Sequence, residues 1–181
     1  MVLLEVSPIS AKADADFAGL VGLRMNSAST DIGGATGSSK IGIMAGILGW
    51  IPLRHGFGVR SGALYNQRYV GIGPTNQGDI DIQYTYFDLP LTAMYQFNSQ
   101  WTAYGGPVLA FNQSKDVNCS KASTCSAFNV KSFLLPWQFG VDFKFAPQFG
   151  GEFFYETIGG ELSSNVSDMK SFGVGLLIFL D

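Results

Sequence analysis

Between Phe57 and Tyr69 the side chains alternate with a period of two. Phe57, Val59, Ala63, Tyr65 and Tyr69 fall on one face, and Arg60, Asn66 and Arg68 on the other. The stretch from Trp137 to Phe145 repeats the arrangement, setting Trp137, Phe139, Val141, Phe143 and Phe145 against Gln138, Gly140, Asp142 and Lys144. A third stretch sets Phe153 and Tyr155 against Glu152 and Glu156. Successive strand side chains point to opposite faces. Each segment therefore predicts a strand with one aromatic-rich apolar face and one face that carries ions.

Followed along the chain, the alternation predicts eight strands, at 17–26, 41–51, 57–70, 82–97, 101–112, 130–145, 149–158 and 169–180. The connections alternate in length. Those at 27–40, 71–81, 113–129 and 159–168 are long and rich in Gly, Ser, Thr, Asn and Asp, the residues of turns and loops. Those at 52–56, 98–100 and 146–148 are short. A soluble sandwich gives loop length no reason to keep step with strand number. An up-and-down barrel in a bacterial outer membrane does: an even strand count, long loops outside, tight turns on the periplasmic side. The predicted class is all-β, an eight-stranded antiparallel transmembrane barrel.

Composition strengthens this. Only 14% of the 181 residues are charged, against roughly 25% in a typical soluble domain, so much of the surface is expected not to meet water. The apolar stretch from Ile41 to Leu53 is interrupted by Gly42, Gly46, Gly49 and Pro52 and falls short of the roughly 20 residues a spanning helix needs. A membrane protein without such helices must be a closed barrel, because only closure pairs every backbone group in lipid. The net charge of −3 with no basic run argues against a nucleic-acid partner. Residues 1–16 read as an N-terminal extension before a barrel domain at 17–181. Val2-Leu3-Leu4, broken by Glu5, is too short for a signal core, and Ala13-Asp14-Ala15 only faintly resembles a cleavage site. The eighth strand is expected to end the fold, with no periplasmic domain after it.

An eight-stranded barrel is just wide enough to be filled by its own side chains. The inward candidates are Arg24, Arg60, Arg68, Asp88, Asp142, Lys144, Glu152 and Glu156, four cations and four carboxylates. Buried charges must be paired, and equal numbers permit it. The outward faces hold residues such as Ile41, Ile43 and Ile47, Leu89 and Leu91, and Val174 and Leu176. A soluble barrel would be built the other way round. Trp50, Trp101, Trp137, Tyr69, Tyr84 and Tyr155 lie near strand ends, where interfacial girdles are expected.

Tyr86-Phe87-Asp88-Leu89-Pro90-Leu91, running on to Tyr95-Gln96-Phe97, resembles a signature of small outer-membrane barrels of the OmpA-like and porin-like β-barrel families. Tyr104-Gly105-Gly106-Pro107 in the next strand is similar to the same families. The resemblance implies an integral outer-membrane protein and no single activity. Such barrels commonly end in an aromatic residue; here the end reads Ile178-Phe179-Leu180-Asp181, an imperfect version.

Candidate chemistry is sparse. Cys119 and Cys125 share the longest predicted loop, and in an exported protein they read as a disulfide clip. His55, the single histidine, falls in the first short turn with no acid or serine patterned around it, and Glu152 and Glu156 find a simpler explanation in arginine partners than in catalysis. No catalytic, cofactor or metal site is expected. Three functions remain open: a structural or surface-interaction barrel displaying four loops among outer-membrane lipid and lipopolysaccharide; a pore-forming or lipid-organising homo-oligomer, packed through small residues such as Gly42, Gly46, Gly49, Ala63 and Gly105; and a lipid-modifying enzyme.

Overall fold

Alternating apolar and polar side chains build every element of this chain. The computed structural model describes residues 15–30, 36–75, 78–119, 131–163 and 166–180. The strands are β1 (Asp16–Thr30), β2 (Thr36–Pro52), β3 (Phe57–Thr75), β4 (Gly78–Gln96), β5 (Trp101–Cys119), β6 (Phe133–Leu134), β7 (Trp137–Ala146), β8 (Phe149–Ser163) and β9 (Val166–Leu180). Each pairs antiparallel with its neighbours in the order β4-β3-β2-β1-β9-β8-β7-β5, and β4 pairs with β5 to close the ring. β6 and β7 are two pieces of one stave, so the barrel has eight. The break falls at Leu135–Pro136, where proline has no N–H to give the ladder. The Val108 N–H donates to the Pro136 carbonyl and the Asn112 N–H to the Ser132 carbonyl, each at 2.8 Å, which carries the pairing past the break. Residues 1–14 of the expected extension lie outside the described residues, and β1 begins at Asp16.

The short connections are tight turns. The Asn98 side-chain oxygen accepts from the Gln100 and Trp101 N–H groups at 2.8 and 2.9 Å, an Asx turn. At the first turn His55 and Gly56 both have positive φ, 56° and 82°, and the exposed His55 is a turn residue. The long connections differ from expectation. β3 continues to Thr75 and β4 starts at Gly78, so most of 71–81 is strand; β1, β2, β5 and β8 likewise run on into segments expected as loops.

The extension follows from an inversion of the alternation. In the lower part of the barrel the outward face is apolar and the inward face carries the buried ions among apolar side chains. Going up toward the long-loop end, the outward side changes from Met25 to Ser27 on β1, from Tyr155 to Thr157 on β8 and from Phe172 to Lys170 on β9. At the same height the inward side changes from Asn26 to Ala28, from Glu156 to Ile158 and from Ser171 to Met169. On β4, Asp88 gives way to Tyr86, Tyr84, Ile82 and Ile80, all buried, while Gln83, Asp81 and Asp79 take the outside. Below the switch the wall meets lipid. Above it the wall meets water, and the barrel is built like a soluble one, apolar within.

Two expected girdle residues are corrected here. Tyr84 is fully buried in the upper apolar core, and Trp50 points inward at 6% exposure. Both share the parity of inward neighbours, Tyr84 with Ile82 and Tyr86, Trp50 with Met44 and Leu48, and parity outranks nearness to a strand end. Trp101 and Trp137 are exposed on the outer wall, and Tyr69 and Tyr155 are half-buried there.

Glycine supplies room inside. A Cβ on Gly173 would stand 2.1 Å from the Phe154 ring and 3.0 Å from the Leu23 carbonyl oxygen. Replacing Gly173 by Ala is expected to cost about 1–3 kcal/mol through overpacking, measured by urea unfolding in lipid vesicles. Phe154→Leu in the same chain should recover part of the loss. A Gly173→Ala barrel as stable as the parent would contradict the packing described.

Candidate functional site

The staves deliver seven buried ionisable groups to the middle of the barrel because each sits on the inward parity of its strand: Arg24 on β1, Arg60 and Arg68 on β3, Asp88 on β4, Asp142 on β7, Glu152 and Glu156 on β8. They form two knots. In the upper knot Arg68 grips Asp88 through both guanidinium nitrogens, Nη1 to Oδ1 at 3.1 Å and Nη2 to Oδ2 at 2.7 Å. The same Nη2 reaches Glu156 at 3.0 Å, and Arg24 Nη2 meets Glu156 at 2.5 Å. Amides complete the set: Asn66 Nδ2 donates to Asp88 at 2.6 Å, and the Asn26 side-chain oxygen accepts from Arg24 Nε and from the Ser171 hydroxyl, each at 2.9 Å. Two guanidiniums face two carboxylates.

The lower knot has one guanidinium for two carboxylates. Arg60 Nη2 binds Glu152, which also accepts from the Tyr104 hydroxyl, and Arg60 Nε lies 3.3 Å from Asp142. Trp50 Nε1 donates to Asp142 at 2.9 Å. Asp142 and Glu152 are cross-strand partners on one face. Aromatic rings cap the guanidiniums: Tyr104 lies 3.8 Å from Arg60, Tyr86 4.8 Å from Arg68 and Phe154 5.6 Å from Arg24.

Lys144 departs from expectation. It is half-buried at the short-turn mouth with its Nζ 4.3 Å from the Phe179 ring, and it makes no ion pair among the described residues. Asp142 is one strand repeat further in, so the last turn leaves Lys144 beside the mouth rather than in the ionic layer. The fully buried charges are thus three cations and four carboxylates, not four and four.

Apolar side chains surround the lower knot: Leu20, Leu48, Met94 and Leu177 pack with Trp50, Leu64 lies between Arg60 and Arg68 on β3, and the tilted Phe179 ring meets Trp50 at 5.5 Å beside a small cavity that reaches Asp142 from the short-turn end. Above both knots stands the core of Val70, Ile72, Ile80, Ile82, Leu162 and Met169. The eight inward charges drew attention from their sequence, but both apolar sets were missed; their signal was the apolar even positions of β4 above Asp88. Tyr104, Asn26 and Ser171 were missed too, although their parity places them inward.

Chemically the site offers no free nucleophile–base pair: each buried carboxylate is held by a guanidinium, and His55 lies exposed in the first turn. No group of three or more His, Cys, Asp and Glu able to hold a metal occurs among the described residues. Cys119 ends β5, and its expected partner Cys125 lies outside the described residues. Of the small residues expected at a packing face, Gly42 and Gly46 point inward, the Phe17 ring covers Gly49, and the Phe139 ring covers Gly105.

The family model described as outer membrane protein beta-barrel domain matches residues 13–167. Among curated proteins no match is found. Solved structures share the fold at low identity. The attachment invasion locus protein Ail of Yersinia pestis, in complex with the heparin analogue sucrose octasulfate, is 14% identical with a TM-score of 0.53 over 92% of this chain and 99% of that one. Neisserial surface protein A is 16% identical with a TM-score of 0.54, over 91% and 98%. The outer membrane protein AlkL in lipid bilayers is 9% identical with a TM-score of 0.53, over 100% and 97%.

Replacing Arg68 by Met should destabilise the barrel by about 3–5 kcal/mol, because it leaves Asp88 and Glu156 short of a cation in a dry interior. Adding Asp88→Leu should recover most of that, since Arg24 and Glu156 then remain as a balanced pair. Equilibrium unfolding of both variants in vesicles checks this, and equal losses in the two would contradict it.

Proposed function

This chain belongs to the outer membrane protein β-barrel family and resides in the bacterial outer membrane, and from that premise we propose that it is a closed, non-conducting barrel whose role is structural or surface-interacting. The observation that supports this reading is the filling of the interior from the lower knot upward, ion pairs packed among Leu20, Leu48, Leu64 and Leu177 with the apolar core of Val70, Ile72, Ile80, Ile82, Leu162 and Met169 above them. A solute would have to break the guanidinium–carboxylate pairs and displace the packed Leu, Ile and Tyr side chains of the upper core. The upper core also has a use outside the membrane. It stiffens the extended ends of β3, β4 and β5, each 19 residues long, into a stem beyond the apolar outer wall. Longer connections lie outside the cell in such barrels, so the stem is the part that partners would touch. Lipid and lipopolysaccharide surround the wall. Catalysis plays no part in this reading, and the covering of Gly49 and Gly105 by aromatic rings weakens the case for a barrel-to-barrel oligomer.

We infer further that Cys119 and Cys125 form a disulfide that clips the connection after β5 in the oxidising space outside the cell. Intact-mass analysis should find these thiols alkylated only after reduction; labelling of the unreduced protein would overturn it.

Planar-bilayer recording tests the main proposal. The purified barrel is expected to leave the baseline without reproducible steps, and a Trp50→Ala, Tyr104→Ala double variant, which thins the lower cap, is expected to leak. Stable unitary channels from the parent would sink the closed-barrel reading.

A further inference from the structure

The lower knot holds more negative charge than its one guanidinium can match. Asp142 and Glu152 stand directly opposite each other on β7 and β8, and Arg60 contacts both. The two carboxylates are not held alike. One oxygen of Glu152 accepts from Arg60 Nη2 and from the Tyr104 hydroxyl. Asp142 accepts one hydrogen bond, from Trp50 Nε1 to Oδ2 at 2.9 Å. Arg60 Nε stands 3.3 Å from the same oxygen without forming a hydrogen bond, and Oδ1 is buried with no partner among the described residues. Of these two carboxylates Asp142 is the one that lines the cavity at the short-turn mouth, about 80 Å³ and roomy enough for water. The other groups around this cavity do not restore the balance. Asp16 of β1 stands at its rim. Lys144, one strand repeat below Asp142, rests its ammonium over Phe179 and makes no ion pair among the described residues. What β2, β4, β5 and β9 bring to the lining is uncharged, namely Trp50, Met94, Gln96, Thr102 and Phe179. Three carboxylates, Asp16, Asp142 and Glu152, therefore face two cations, Arg60 and Lys144.

We propose that the lower knot is a proton-binding site, in which Asp142 carries one proton taken up from the periplasm while Glu152 stays ionised against Arg60. Two carboxylates that share a buried site with a single cation do not both ionise. The contacts decide which of them holds the proton. A guanidinium nitrogen and a phenolic O–H both donate to Glu152, and each favours its charged form. Asp142 has the empty oxygen. An O–H at Oδ1 needs an acceptor, and water in the adjoining cavity supplies one. The same water is the path of the proton, because short turns lie on the periplasmic side of such barrels. When Asp142 gives up its proton, Lys144 is the cation within reach: it lies two residues on along β7, on the same face and in the same cavity. The upper knot needs no proton, since there Arg24 and Arg68 match Asp88 and Glu156.

Infrared spectroscopy of the full chain in lipid vesicles tests this. At about pH 6, above the range in which an exposed aspartate ionises, the parent is expected to show the C=O stretch of one protonated carboxyl. The band should disappear as the pH rises, and heavy-carbon labelling of the aspartate carboxyls should shift it. Asp142→Asn should remove it. Glu152→Gln should remove it too, because Asp142 and Arg60 are then a matched pair. Lys144→Gln takes away the facing ammonium, so its band should persist to higher pH. Stability gives a second reading. The folded barrel binds one proton more than the unfolded chain, so between about pH 4 and the pH at which the band is lost its folding equilibrium constant should fall about tenfold per pH unit relative to Asp142→Asn. Heat-modifiable gel mobility confirms that each variant is folded, and the labelling experiment needs no variant. A parent without the band, a band that the aspartate label leaves in place, or a parent whose stability follows pH as Asp142→Asn does overturns the proposal. An unmoved band in Lys144→Gln removes the part given to Lys144. None of these readouts depends on conductance, so a leaky parent barrel refutes the closed-barrel reading and leaves this one standing.

Discussion

In a lipid environment no water is present to take an unpaired N–H or C=O, and the whole architecture depends on that constraint. It is met here by ring closure: β1 pairs with β9, β4 with β5, and each stave has a neighbour on both sides through the membrane-facing part. Even the proline break between β6 and β7 is bridged by backbone hydrogen bonds from β5. Closure sets the diameter, and the diameter sets the interior. With eight staves the lumen is a packed core, so each inward side chain must fit its neighbours and each inward charge must find a partner. The inward glycines at 140 and 173 belong to this requirement: they are where the Tyr104 and Phe154 rings need the space.

The interior is therefore ordered by what it can hold together. The ionic groups lie behind the apolar part of the outer wall, where a water-filled lumen would be the alternative. The upper knot is charge-matched and amide-supported; the lower knot shares one guanidinium between two carboxylates and leans on Trp50 and Tyr104 for the remaining contacts. The apolar core above and the apolar side chains packed around the lower knot lower the local dielectric at the ion pairs, which strengthens them and raises the cost of removing one partner.

The inversion of the two faces at one height connects fold to function. A strand does not change its pleat at the membrane edge; its surroundings change. Lys170 and Thr157 outside, Met169 and Ile158 inside, mark that edge within single residues on β9 and β8. Above it the barrel gains a second core and a rigid stem.

The sequence alone determined that this is a closed barrel in an outer membrane, because period-two alternation and the rhythm of short and long connections are local and survive without coordinates. It also determined that Arg24, Arg60, Arg68, Asp88, Asp142, Glu152 and Glu156 share the inward parity. It did not reveal how they pair, since the partners of Arg68 come from β4 and β8, strands brought together only by closure. Trp50 and Tyr84 leave the girdle because parity outranks nearness to a strand end, and Lys144 leaves the ionic layer despite its inward parity because height along a tilted stave is a property of the sheet. The long connections read as loops because their outward residues are polar, and only the tertiary structure, by setting Val70, Ile72, Ile80 and Ile82 against one another across the lumen, decided that they are strand.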